Sequence, residues 1–184
     1  MNLNFTSIKK IKIEKSLPLD CGTILDGFDI AYQTFGELNE NKTNAILVFH
    51  ALSGDQFATE INTVTGKDGW WSLAIGKNKA VDTNKYFVIC ANVLGGCMGS
   101  TGPKEINPAT GKPYGLSFPV VTIKDMVSAQ IHLLDYFGIK KTLAVIGGSM
   151  GGMQALQWGV DYPDSSVSII AIATAASLSP QAIA

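Results

Sequence analysis

Histidine and cysteine are scarce in this chain, and their scarcity narrows its chemistry. The three cysteines, Cys21, Cys90 and Cys97, are odd in number and contain no CxxC pair. With no histidine pair nearby they build neither a disulfide framework nor a zinc site, and they fit a reducing cytosol. Clusters of cationic side chains are missing as well. The formal net charge is -1, which leaves no electrostatic footprint for nucleic acid. No apolar run approaches the roughly 20 residues needed to cross a bilayer, and the N-terminal stretch MNLNFTSIKK lacks the charged-then-apolar order of a signal peptide. These absences predict a cytoplasmic chain with neither membrane nor nucleic acid as partner.

What remains is an apolar chain of 184 residues, 46% hydrophobic and 16% charged, enough for one core and one domain. SIKKIKIEK and FDIAYQTFG alternate apolar and polar residues, with Asp26-Gly27 as a turn signal before the second. They predict antiparallel strands at the start of a sheet. Lys9, Lys10, Lys12 and Lys15 then form a wet strand face rather than a binding arm. Later runs at Ala45–Leu52, Tyr86–Val93, Thr142–Gly148 and Ser166–Thr174 are apolar on both faces. That pattern implies a sheet covered on both sides, with parallel strands joined by crossover helices.

Helices are predicted over Trp70–Ile75, Thr122–Ile139 and Gly152–Pro163. The second carries Ile123, Met126, Val127, Ile131, Leu134 and Phe137 at helical spacing, with Gly138 as its stop. The order predicts an α/β fold, an open and mostly parallel sheet with antiparallel N-terminal strands. Between Leu94 and Pro119 lies a long connection rich in glycine and proline, with no element of its own. Connections of that length in a compact domain usually carry function.

Ser149 sits where the run TLAVIG ends and a helix begins, inside Gly147-Gly148-Ser149-Met150-Gly151. This G-x-S-x-G is the pattern of a nucleophile elbow, which strains the backbone at its serine. Side chains two residues before and two after would collide with neighbouring elements, and glycine at 147 and 151 removes them. The helix start aims N–H groups and a positive dipole end at the hydroxyl. The bland alternative is a glycine-rich turn with Ser149 as an N-cap. An elbow enzyme also needs two N–H donors for its oxyanion, one from the residue after the nucleophile, here Met150. The other is expected from the turn in FHALSGD, with Leu52 as first candidate and Ala51 as second.

A serine needs a base, and the supply is poor. His132 lies roughly 140° around the helix from Val127, outside the apolar stripe, and reads as a solvated surface residue. His50 reads as a structural histidine that holds the oxyanion turn through a hydrogen bond. Elbow enzymes run in the order nucleophile, acid, histidine, yet after Ser149 come only Asp161 and Asp164, both read as solvated loop residues, and no histidine. Cys97 reads as a packing residue, with no base or helix start beside it. The closing SLSPQAIA opens like a helix, with Ser179 as cap and Pro180 in its first turn, so the chain reads as the N-terminal part of a longer domain.

Together, FHALSGD, NVLGGCMGSTGP and GGSMGGMQALQW resemble the homoserine O-acetyltransferase family, a branch of the α/β-hydrolase fold. The likeness extends through FDIAYQTFGELN, GWWSLAIG and PYGLSFPVVTIKDMVSAQIHLLDYFGI. The resemblance implies acetyl transfer from acetyl-CoA to the side-chain hydroxyl of L-homoserine, in methionine biosynthesis, through an acyl-serine on Ser149. It puts the oxyanion donors on the backbones of Leu52 and Met150. It implies no permanently bound cofactor and no metal, acetyl-CoA being a substrate, and a homodimer as the full-length protein. The triad aspartate and histidine would follow residue 184, leaving the fragment alone inactive. A succinyl donor, a serine acceptor or an esterase on the same fold are the alternatives.

Overall fold

The computed structural model describes residues 8–183. Ser7, which opens the first predicted strand, most of MNLNFTSIKK and the final Ala184 lie outside the described residues. The elements in chain order are β1 (Lys9–Pro18), β2 (Ile24–Phe35), β3 (Ala45–Phe49), β4 (Ile75–Gly76), β5 (Val81–Asp82), β6 (Phe87–Ala91), β7 (Ile106–Asn107), β8 (Lys112–Pro113), α1 (Ile123–Phe137), β9 (Thr142–Gly148), α2 (Met150–Asp161), β10 (Ser166–Ile172) and α3 (Pro180–Ile183). The main sheet has the order β1-β2-β6-β3-β9-β10. β1 and β2 run antiparallel, β2 meets β6 antiparallel, and the β6-β3-β9-β10 pairs are parallel. The α/β class and its antiparallel start are therefore as expected.

The first hairpin turns earlier in the chain than Asp26-Gly27 implies. Its reversal lies at Leu19–Thr23, closed by the Leu19 and Gly22 N–H groups, and Asp26 and Gly27 sit inside β2. There the register shifts between Ile13 and Ser16, so that Glu14 and Lys15 face Gly27 alone. Gly27 holds φ +72, a left-handed backbone that glycine enters freely. The dipeptide marked a β-bulge, which needs the same conformation as a turn.

Alternation along the central strands divides the core. Leu47 and Phe49 of β3 join Ile30, Ile89, Val127, Leu133, Val145 and Trp158 on the face covered by α1 and α2. Ile46 and Val48 join Phe35, Val88, Cys90 and Ile146 on the other. Among the described residues, no crossover helix covers that second face. The predicted helix at Trp70–Ile75 is a pair of turns, because the Trp70 and Trp71 N–H groups bond to Phe57 and Ala58 carbonyls of a neighbouring segment instead of starting a helical ladder. Ala58, Ile75 and Trp71 from this irregular stretch fill the space.

The helix α1 starts and stops where the sequence placed it. Thr122 caps it in a reciprocal box with Asp125, and Gly138 ends it at φ 65. Its buried stripe includes Gln130, whose Nε2 donates to Gln154 of α2 at 2.8 Å, a polar pairing that apolar periodicity could not show. β10 departs from expectation too. It pairs with β9 as a strand, but Val167, Ile170 and Ile172 are exposed, since it is the edge of this sheet.

Candidate active site

The junction of β9 and α2 is a strained elbow. Ser149 adopts φ 56, ψ -122, a region that residues with a Cβ rarely enter. The side chain is exposed and makes no cap hydrogen bond, so the N-cap alternative does not hold. The glycines explain how the bend is reached. A Cβ on Gly147 would fall on the backbone of Gly151, and one on Gly151 would fall on the carbonyl of Phe49. β9, α2 and β3 thus approach backbone to backbone around the serine, as the G-x-S-x-G pattern requires.

The two expected donors face one groove. Leu52 and Met150 line a cavity of about 420 Å³ together with Leu94, Cys97, Phe118 and Met126. Neither the Leu52 nor the Met150 N–H has an acceptor among the described residues, so both remain available for a developing negative charge. Met150 stands at the first position of α2, where the helix dipole favours that charge. The Leu94–Pro119 connection supplies much of the groove wall, and it is ordered rather than structureless. It holds the β7–β8 ribbon and a short 3-10 turn at Gly115–Ser117, and it is tied to β2 where the Thr101 N–H bonds Asp29 and Ser100 accepts the Ala31 N–H.

His50 is buried at 1% exposure with both ring nitrogens engaged. Nε2 accepts the Val93 N–H at 3.2 Å, so the proton sits on Nδ1, which donates to the Ala51 carbonyl at 2.7 Å. Burial pushes its pKa below the ordinary value of 6.5, against the Ala51 hydrogen bond and Asp55. It is a neutral strut between the turn closed by Ala51 and Gly54 and the groove loop, holding that turn by the hydrogen bond expected of it, and not a free base. Asn92 completes the strut, bonding the Met98 N–H through Oδ1.

Other assignments change. His132 is partly buried, edge-on to Phe28 at 5.9 Å between ring centroids and 3.8 Å from Asp135, rather than fully solvated. Its pKa also falls below 6.5, by burial first. Cys97 is exposed and lines the groove instead of packing in the core. Asp161 lies in the last position of α2, where it accepts from Gln157, whereas Asp164 stands exposed in the following turn as expected. The residue that sequence reasoning missed is Thr174. Its hydroxyl donates to the Ser149 carbonyl at 2.8 Å across 25 positions of sequence, a contact with no local signature.

The family described as "alpha/beta hydrolase fold" matches residues 44–183. A homoserine O-acetyltransferase of Pelagibacter ubique is 60% identical over 184 residues, which cover 100% of this chain and 49% of that protein. One from Methanococcus vannielii is 57% identical over 176 residues, covering 96% and 36%. Among solved structures, a homoserine O-acetyltransferase from Bacillus anthracis superimposes with a TM-score of 0.78 at 37% identity, over 88% of this chain and 46% of that one. An acetylester hydrolase from Corynebacterium glutamicum gives 0.80 at 33% identity, over 96% and 47%. The chain spans about half the length of such relatives, or less.

Proposed function

The chain belongs to the alpha/beta hydrolase fold family, and from that premise we propose that Ser149 is the nucleophile of an acyl transfer from acetyl-CoA to the side-chain hydroxyl of L-homoserine. The observation that carries the reading is the elbow itself: an exposed serine at φ 56, ψ -122 beside two free N–H groups that line one groove. The names of the curated relatives, homoserine O-acetyltransferases at 60% and 57% identity, support an acetyl group as the cargo and homoserine as the acceptor, and acetyl-CoA as the donor is part of the proposal.

In the first half-reaction the Ser149 hydroxyl attacks the thioester carbonyl, and the N–H groups of Leu52 and Met150 hold the oxyanion. The C–S bond breaks and CoA leaves as the thiol. In the second, the homoserine hydroxyl attacks the acyl-serine, the acetyl ester leaves, and Ser149 regains its proton. Both steps need a general base, which neither His50 nor His132 supplies here. Acetyl-CoA enters as a substrate, no permanently bound cofactor is involved, and the whole protein is proposed to act as a homodimer.

A second reading, an esterase, draws on the likeness to the acetylester hydrolase from Corynebacterium glutamicum. Hydrolysis and transfer share the acyl-serine and differ in whether water reaches it. Intact-protein mass spectrometry after mixing the full-length protein with acetyl-CoA decides the core of the proposal. It should find an acetyl group mapped to Ser149 and none in Ser149→Ala, and a wild-type protein without the adduct would overturn it. Faster turnover of simple acetyl esters than of transfer to homoserine would favour the esterase, and a panel with succinyl-CoA and serine tests the remaining alternatives.

A further inference from the structure

We infer that Thr174 and His50 are positioning residues that aim the two oxyanion-hole N–H groups from behind, each holding the carbonyl at the opposite end of the same peptide unit. The inference rests on the reading of Ser149 as nucleophile with Leu52 and Met150 as donors. A peptide unit is planar and trans, so its C=O and N–H point in opposite directions and turn together. The Met150 N–H shares its unit with the Ser149 carbonyl, and the Leu52 N–H shares its unit with the Ala51 carbonyl. Gripping either carbonyl therefore sets the direction of the donor on its far side. A hydrogen bond accepted by the carbonyl also polarises the unit and strengthens its N–H as a donor.

At the elbow, the Ser149 carbonyl accepts the Gly152 N–H at 2.9 Å and the Met153 N–H at 3.1 Å, which any first helical turn would provide. Thr174 adds a bond at 2.8 Å from the sheet side. The Ser149 N–H meanwhile donates to the Ile172 carbonyl at 3.0 Å. The end of β10 thus holds residue 149 at both its N–H and its C=O, in a conformation the backbone would otherwise leave. Ala173, between the two contacts, is bent to φ 46, a left-handed conformation that residues with a Cβ rarely adopt. Gly152 supplies an independent sign. A Cβ there would come within 2.6 Å of the Thr174 side chain, so this glycine, outside the G-x-S-x-G pattern, leaves room for the threonine.

The oxyanion turn has the same construction. The Ala51 carbonyl accepts from His50 Nδ1 at 2.7 Å and from the Gly54 N–H at 2.9 Å. His50 is in turn fixed through Nε2 by the Val93 N–H. The donor turn is thereby tied to the groove loop by one buried ring.

Thr174 is partly exposed, so Thr174→Val removes the hydroxyl with little risk to folding, and Thr174→Ser retains it. In the full-length protein, Thr174→Val should lower kcat about tenfold with KM unchanged, less than the roughly hundredfold or greater loss when a donor is deleted outright. A boronic acid that mimics the tetrahedral intermediate should lose affinity by the same factor, and Thr174→Ser should recover both. The amide resonance of Met150 should move in Thr174→Val while that of Leu52 stays, and His50→Asn should shift Leu52 instead. Thr174→Val with wild-type kcat and an unmoved Met150 resonance, in a protein that Ser149→Ala inactivates, would overturn this inference alone. Turnover that survives Ser149→Ala would overturn the parent reading and this one with it.

Discussion

Three glycines around Ser149 look equivalent in sequence and are not equivalent in space. Gly147 and Gly151 touch neighbouring backbone where a Cβ would sit, whereas the nearest atom to a Cβ on Gly148 is the Ile172 carbonyl oxygen at 3.9 Å. Gly148→Ala should therefore fold with near-wild-type stability and still form the acyl adduct on Ser149. Gly147→Ala and Gly151→Ala must push strand and helix apart and should lose about 3 kcal/mol or more. Urea denaturation of the three variants, followed by adduct mass spectrometry, checks the contrast. The G-x-S-x-G pattern made the outer glycines legible. It was silent on Gly152, whose partner Thr174 lies far along the chain.

At the scale of elements, α1 shows why caps read well and partners do not. The Thr122–Asp125 box and the Gly138 stop are local, decided within one helical turn, and the sequence displays them. Asp125 has a second duty that it does not display. One carboxylate oxygen accepts the Asp20 N–H at 2.9 Å and the other accepts the Thr122 N–H at 2.8 Å, joining the first hairpin to the helix. Asp125 is 2% exposed, so Asp125→Ala leaves two N–H groups without acceptors and should cost about 2–3 kcal/mol, against about 1 kcal/mol for Thr122→Ala. Thermal melts of both variants measure the difference. The failed helix at Trp70–Ile75 has the opposite cause. Its apolar residues satisfied a short window, but Leu73 is 95% exposed and the stretch takes its backbone partners from Phe57 and Ala58.

For the molecule as a whole, the unbalanced feature is the β10 side of the sheet. Val167 is 66% exposed, Ile170 42% and Ile172 43%, on a strand with one hydrogen-bonded neighbour. An exposed apolar edge is a template for pairing with another chain. Purified residues 1–184 should accordingly self-associate, with a weight-average mass that rises with concentration in sedimentation equilibrium. Val167→Lys should reduce that rise, and a mass independent of concentration would count against the argument. The succession of the main strands, the two-sided core and the antiparallel start were legible, because residues buried on both faces must be apolar throughout. That β10 would be exposed was not legible, since its composition matches that of a central strand.

The sequence by itself determined the succession of strands and helices, the caps of α1, and an elbow whose outer glycines make room for Ser149. Each of these follows from periodicity or sterics within a few residues. Only the tertiary structure decided that an irregular segment covers the second face of the sheet, that Leu52 and Met150 open on one groove, and that Thr174 and His50 stand behind them. Those facts depend on contacts between residues 25 and 43 positions apart, set by which strands lie side by side, and a short stretch of chain carries no mark of its distant neighbours.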